Sequence, residues 1–266
     1  MIRMRMDFFS ESLWMGTSAI VLMPQAEAGI GMNGSDPSGP DGPGAQSARG
    51  VPVLYLLHGL SDDCTHWERR TAIERYATEK GIAVVMPEVR RSFYADEAVG
   101  EKYWTYVADE LPQIIARTFH ISTAREDTFV AGLSMGGFGA FKLALNRPQQ
   151  LAAAASFSGV MDLLSLDLEE HAGHLAQRIW NGQEIAGTAD DLLGLLRSAA
   201  PGSLPPLFLD CGTEDFLVEG NRSFIRTAEE HGHDLTSHLR PGDHTWDFWD
   251  RSIQDALEWL PIRPAS

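Results

Sequence analysis

Residues 128–146 constrain this chain more than any other stretch. A short apolar segment of strand character, 128–131, runs into Gly132-Leu133-Ser134-Met135-Gly136. A segment of helical character, 138–146, follows until Arg147-Pro148 stops it. Gly-x-Ser-x-Gly alone is weak evidence, because small residues cluster in ordinary turns. Between a strand and a helix it has the context of a nucleophile elbow. The turn is so tight that the serine adopts a strained backbone conformation. Glycines two residues before and after it remove the Cβ atoms that would collide there. The Ser134 Oγ is then lifted at the strand's end, and the N-terminus of the following helix aims free N–H groups at negative charge developing beside it.

The flanking segments supply an architecture for such an elbow. Residues 2–9 and 15–23 read as two strands, antiparallel because only a short turn around Glu11-Ser12 separates them. From 29 to 50 Gly and Pro dominate, and so polar a stretch buries too little to offset its ordering entropy. It is expected to be a flexible surface loop within one domain spanning 1–266. The near-continuous apolar run 51–57 suits a strand buried on both faces. It is followed by a helix over 68–80, a strand at 82–86 and a helix over 98–117 kinked at Pro112. After the elbow come strands at 152–157, 205–211 and 235–239, with helices at 218–231 and 246–260. Residues 159–203 lack strand runs and read as a small cap-like insertion. Strands alternating with helices indicate a mostly parallel sheet covered on both faces. The expected fold is α/β, in an α/β-hydrolase order: about eight strands with an antiparallel N-terminal edge.

Charge narrows the partners. Lys and Arg number 21 against 37 Asp and Glu, a net charge of −16. An acidic surface repels nucleic-acid phosphates and anionic membranes, so neither is an expected partner. Two cysteines, Cys64 and Cys211, make no disulfide framework and point to a reducing compartment. The longest apolar run near the N-terminus, 19–23, is too short for a secretory signal. Cytoplasmic location is the expectation. The apolar edge strands at the N-terminus leave a homo-oligomer open.

A serine hydroxyl needs a base, and a histidine base needs a carboxylate to fix its tautomer. In this fold the order is Ser, then Asp or Glu, then His. Beyond the insertion, which itself holds His171 and His174, four histidines remain: His231, His233, His238 and His244. His231 and His233 fall at a helix end and His238 within a strand. His244 lies in a loop between the last strand and the last helix, where a base reaching Ser134 belongs. Asp215 is the preferred acid, in the loop beyond the strand carrying Asp210, with Glu214 second. Asp210 is still on the strand, and Asp243 is poorly placed to bond its own neighbour's ring. An oxyanion hole needs two N–H groups. Met135, after the nucleophile, and Leu60, after His58-Gly59, are the candidates. His58 reads as a structural residue beneath that loop and is assigned no part in catalysis. Trp67, Trp104 and Trp180 line an acyl or aromatic pocket or belong to the core. His231-x-His233 has metal-ligand spacing but no supporting cluster, so no metal and no cofactor is expected.

The segments Phe8-Phe9-Ser10-Glu11, Leu57-His-Gly-Leu60, Trp67-Glu-Arg-Arg70, Gly132-Leu-Ser-Met-Gly-Gly-Phe-Gly-Ala140, Phe157-Ser-Gly159, Asp210-Cys-Gly-Thr-Glu-Asp215 and His244-Thr-Trp246 together resemble the esterase D-like family. That family includes tributyrin-type carboxylesterases, S-formylglutathione hydrolases, and acetylxylan and feruloyl esterases. The resemblance spans nearly the whole chain, except 29–50 and much of the insertion, and is nearest to the short-chain, tributyrin-type enzymes. It implies a metal-free serine carboxylesterase acting on small acyl esters through an acyl-enzyme, with Ser134, Asp215 and His244 as the triad. S-formylglutathione hydrolases often carry a cysteine soon after the His-Gly-Leu turn. Cys64 comes later here, which makes that substrate less favoured. Feruloyl or acetyl-sugar esterase, thioesterase and acyltransferase share the same machinery. A catalytically inactive binding module is the rival from another class.

Overall fold

The apolar run at 51–57 becomes strand β3 (Val53–Leu57), all five residues of which are buried. Its side chains alternate between two cores, as the period of a strand requires. Val53, Tyr55 and Leu57 face one core, and Leu54 and Leu56 face the other. The same double burial holds for β4 (Ala83–Pro87), β6 (Ala153–Phe157) and β7 (Leu207–Gly212). In this computed structural model, which describes residues 1–25, 50–167 and 174–263, these strands join β1 (Ile2–Ser10), β2 (Met15–Met23), β5 (Thr128–Leu133) and β8 (Leu235–Arg240). The eight-stranded sheet has the order β1-β2-β4-β3-β5-β6-β7-β8. β1 and β2 pair antiparallel, β2 pairs antiparallel with β4, and every pairing from β4 to β8 is parallel. This is the α/β-hydrolase fold.

Helices cover both faces. His66–Arg70, Ile73–Lys80 and Trp246–Trp259 bury Trp67, Tyr76, Phe248 and Ile253 against one side. The helical turns from Tyr103 onward, with Met135–Asn146, Leu175–Trp180, Leu192–Ser198 and Val218–Glu230, cover the other. Each fully buried Leu, Phe or Ile contributes about 1.5–3 kcal/mol, so the two cores supply most of the driving force for folding.

Three expected elements differ in detail. The helix expected over 68–80 is two helices. After Arg70 the chain turns extended at Thr71, whose hydroxyl donates to the Trp67 carbonyl at 2.6 Å and caps the first helix. The helix expected over 98–117 begins at Tyr103 and runs to Thr118. A π-helical turn, Tyr106–Glu110, precedes Pro112, which falls in the first turn of the α-helical segment Leu111–Thr118, where its missing N–H costs least. The elbow helix begins at Met135, three residues before its expected start. The loop expected at 29–50 lies, except for Gly50, outside the described residues. So do residues 168–173 of the 159–203 insertion, His171 among them. The described part of the insertion holds the helices Leu175–Trp180 and Leu192–Ser198.

Parallel strands bring their C-terminal ends to one edge of the sheet, where open α/β sheets gather their functional loops. β3 delivers His58-Gly59-Leu60 there, β5 delivers Ser134, β7 the loop to Asp215, and β8 the loop to His244.

Candidate active site

Ser134 occupies φ 52°, ψ −117°, a conformation that L side chains rarely adopt and that costs about 1–3 kcal/mol. Its neighbours impose the strain. The Ser134 N–H donates to the Phe157 carbonyl at 2.9 Å, while its own carbonyl accepts the Phe138 N–H at 3.1 Å. The chain is thus bound to β6 on one side and committed to the helix on the other. A Cβ on Gly132 would run into the Gly136 carbonyl, and one on Gly136 into the carbonyls of Leu57 and His58. The two glycines of the motif are therefore required by backbone contact.

The structure brings Ser134, His244 and Asp215 together across 110 and 29 residues of chain. His244 Nε2 lies 3.0 Å from Ser134 Oγ. His244 Nδ1 lies 2.8 Å from Asp215 Oδ2. Asp215 is buried, and its second oxygen accepts the Leu217 N–H at 2.9 Å, so both carboxylate oxygens are engaged. With the carboxylate on Nδ1, the Nδ1–H tautomer leaves the Nε2 lone pair facing the serine hydroxyl. This is the geometry a general base needs to accept a proton from Oγ.

Leu60 and Met135 flank the serine. Met135 is the first residue of the elbow helix. The Leu60 loop abuts the nucleophile closely enough that a Cβ on Gly59 would sit 3.7 Å from the Ser134 Cβ.

The runner-up acid, Glu214, has a different job. Its Oε2 accepts the Gly242 N–H at 2.6 Å, and its own N–H donates to the Gly242 carbonyl at 3.0 Å. It ties the Asp215 loop to the His244 loop at both ends of one residue. The Gly242 amide, with the Thr213 hydroxyl, holds its carboxyl below the usual glutamate range. Asp210 points away from the site, to Arg240 on β8. Desolvation holds its carboxyl above the usual range despite that partner. Asp243 Oδ1 accepts the His244 N–H at 2.7 Å and does not reach the ring.

The three tryptophans do not gather at the serine. Trp67 is buried in the core, its Nε1–H donating to the Leu57 carbonyl at 3.1 Å and its ring packed edge-on against Trp246. Trp104 lies beneath the Lys142 ammonium at 4.6 Å. Trp180 donates to Asp190, which pairs with the same Lys142, and packs against Phe93. The rings that do touch His244 are Phe216, at 4.7 Å, and Trp249, at 4.8 Å. Phe216 is 58% exposed and carries a large apolar surface to the mouth of the site. Sequence reasoning passed over it, although it directly follows the acid.

His231 and His233 stack on one another, but each bonds a backbone carbonyl, of Thr227 and Leu196 respectively. Burial raises the Cys64 thiol to about 11, where it is a poor nucleophile. Among the described residues no helix is long and apolar enough to cross a membrane.

Comparison with known proteins points to esterases. Residues 40–260 match the family described as "Putative esterase". An acetyl esterase of Caldicellulosiruptor saccharolyticus is 28% identical over 97% of this chain and 97% of its own. Among solved structures, the fluorophosphonate-binding serine hydrolase FphF of Staphylococcus aureus, in a substrate-bound form, is 30% identical. It covers 97% of this chain and 98% of its own, with a TM-score of 0.81. An S-formylglutathione hydrolase (FrmB) of the same organism, as apoenzyme, is also 30% identical with the same coverage and a TM-score of 0.77.

Proposed function

The chain belongs to the putative-esterase family and is a carboxylic ester hydrolase, and from that premise we propose that it cleaves short-chain acyl esters through an acyl-enzyme on Ser134. The observation that carries this reading is the unbroken hydrogen-bonded chain from Ser134 Oγ through the His244 ring to Asp215. His244 Nε2 takes the hydroxyl proton as Oγ attacks the ester carbonyl. The imidazolium that forms is steadied by the Asp215 carboxylate. Negative charge on the former carbonyl oxygen is met by the N–H groups of Leu60 and Met135. The tetrahedral species collapses, the C–O bond to the alcohol breaks, and His244 returns its proton to the departing oxygen. Water then attacks the acyl-serine with His244 again as base, releasing the acid and restoring Oγ–H.

The small acyl group is supported by the acetyl esterase relative. A second reading, cleavage of a thioester such as S-formylglutathione, is favoured by the S-formylglutathione hydrolase neighbour. The same residues serve both, since only the leaving group changes. Initial rates on p-nitrophenyl acetate, butyrate, octanoate and dodecanoate, with S-formylglutathione alongside, separate the two. The proposal expects a maximum at acetate or butyrate. A maximum at octanoate or dodecanoate contradicts the short-chain reading, and a clear preference for the thioester moves the function to the second.

A further inference from the structure

His58 has no part in these proton transfers, yet it is 1% exposed directly beneath the Gly59-Leu60 turn, and both ring nitrogens are engaged. The Val89 N–H donates to Nε2 at 3.1 Å, so Nε2 carries the lone pair. Nδ1 lies 2.8 Å from the Gly59 carbonyl oxygen and must carry the hydrogen, because a carbonyl only accepts. The ring is therefore the neutral Nδ1–H tautomer. Glu88 Oε1 lies 3.6 Å from Nε2, beyond hydrogen-bonding distance, and accepts the Arg90 N–H at 2.7 Å.

The Gly59 carbonyl and the Leu60 N–H belong to one planar peptide unit and point in opposite directions. A bond that fixes the carbonyl therefore fixes where the N–H points. The Asp62 N–H, at 3.2 Å, is a second donor to the same carbonyl. Two donors on the oxygen also polarise the unit and strengthen its N–H as a donor in turn. The rest of the turn is secured around this unit: the Tyr94 hydroxyl donates to the His58 carbonyl at 2.9 Å, and Asp62 Oδ2 accepts the Gly59 N–H at 3.1 Å.

We propose that His58 is a positioning residue for ester cleavage, its Nδ1–H holding the Gly59–Leu60 peptide so that the Leu60 N–H meets the oxyanion. This rests on the reading of Leu60 as an oxyanion donor. The test uses the two amides that mimic one ring nitrogen each. In His58→Asn the side-chain nitrogen falls near Nδ1 and can still donate to the Gly59 carbonyl. In His58→Gln the amide reaches the Nε2 position and can accept from Val89, but the Gly59 carbonyl loses its ring donor. Deleting an oxyanion donor costs roughly 10²–10³-fold in kcat. With the Asp62 N–H still in place, His58→Gln lowers kcat on p-nitrophenyl acetate by about 10- to 100-fold, with KM within about twofold. His58→Asn keeps most of kcat. The Ki of a trifluoromethyl ketone, which forms the same oxyanion on Ser134, rises in His58→Gln by the factor that kcat/KM falls.

A wild-type kcat in His58→Gln, or equal losses in both variants with the ketone Ki unmoved, overturns the proposal. A measurement on the unaltered protein covers the case in which the variants do not fold. Nitrogen-15 shifts of the His58 ring should report hydrogen on Nδ1 and none on Nε2, and the opposite tautomer overturns it. Failure of the underlying esterase reading looks different: Ser134→Ala would retain turnover.

Discussion

Ser134 and His244 meet at 3.0 Å, but the two regions that deliver them are built on opposite principles. The elbow is placed by backbone. β5 and β6 pin the serine, Gly132 and Gly136 let main chains touch, and every residue from Met135 to Leu145 is buried. The base loop is placed by polar side chains together with backbone, the Glu214 N–H on the Gly242 carbonyl. Glu214 holds Gly242, Asp215 holds the ring and Asp243 holds the His244 N–H, with Phe216 and Trp249 on the ring. The nucleophile region should therefore respond most sharply to added volume at its glycines. The base region should respond most sharply to loss of the polar group that holds the ring, Asp215.

Substitutions can break or sharpen this contrast. The largest effect on the base side is expected from Asp215→Asn, which leaves the shape intact but removes the group that fixes the His244 tautomer. It should lower kcat by about 10⁴-fold with little change in melting temperature. A loss under tenfold would mean that Asp215 is not the orienting acid. On the elbow side, Gly136→Ala forces a methyl group into two backbone carbonyls. A misfit of that kind costs typically about 1–3 kcal/mol and more where backbone must move, so thermal unfolding should come many degrees earlier, with activity falling in parallel. An unchanged melting temperature would show that the elbow is looser than its contacts indicate.

A smaller effect is expected from Glu214→Ala. The bond to Gly242 is exposed and screened by water, so kcat should fall by no more than about tenfold, with melting temperature nearly unchanged. A loss as large as that of Asp215→Asn would make Glu214, the other candidate acid, the group that matters. The pH dependence is smaller still. Because the Gly242 amide lowers the folded-state pKa of Glu214, its tie to the base loop is fully present above the ordinary glutamate range. It is lost only as pH falls through the lowered value. Wild type and Glu214→Ala should therefore differ most at neutral pH and converge in acid. Convergence on raising the pH would contradict the assignment.

The same contrast explains what was legible in the sequence. The elbow is a local object: strand, glycine, serine, glycine and helix are contiguous, so Ser134 could be read directly. Asp215 and His244 followed from chain order and from their place just past strand ends. The residues that sequence reasoning misjudged act across long separations. Trp67 resembles a pocket ring until its indole N–H is seen on the Leu57 carbonyl inside the core. Glu214 looks like a spare acid until Gly242, 28 residues on, is placed beside it. His58 was read as a structural residue beneath the loop, and its burial there agrees; only its bond to Val89, which depends on how β3 and β4 are registered, lay out of reach. The break at Thr71 and the π-turn before Pro112 were hidden for a related reason, because helical spacing continues through both.

The most direct test of the account is peptide mass spectrometry after reaction with a fluorophosphonate, on wild type and on His244→Ala. One adduct is expected, on Ser134, forming rapidly in wild type and orders of magnitude more slowly without the His244 ring. An adduct on another residue, or equal labelling of both proteins, would contradict it.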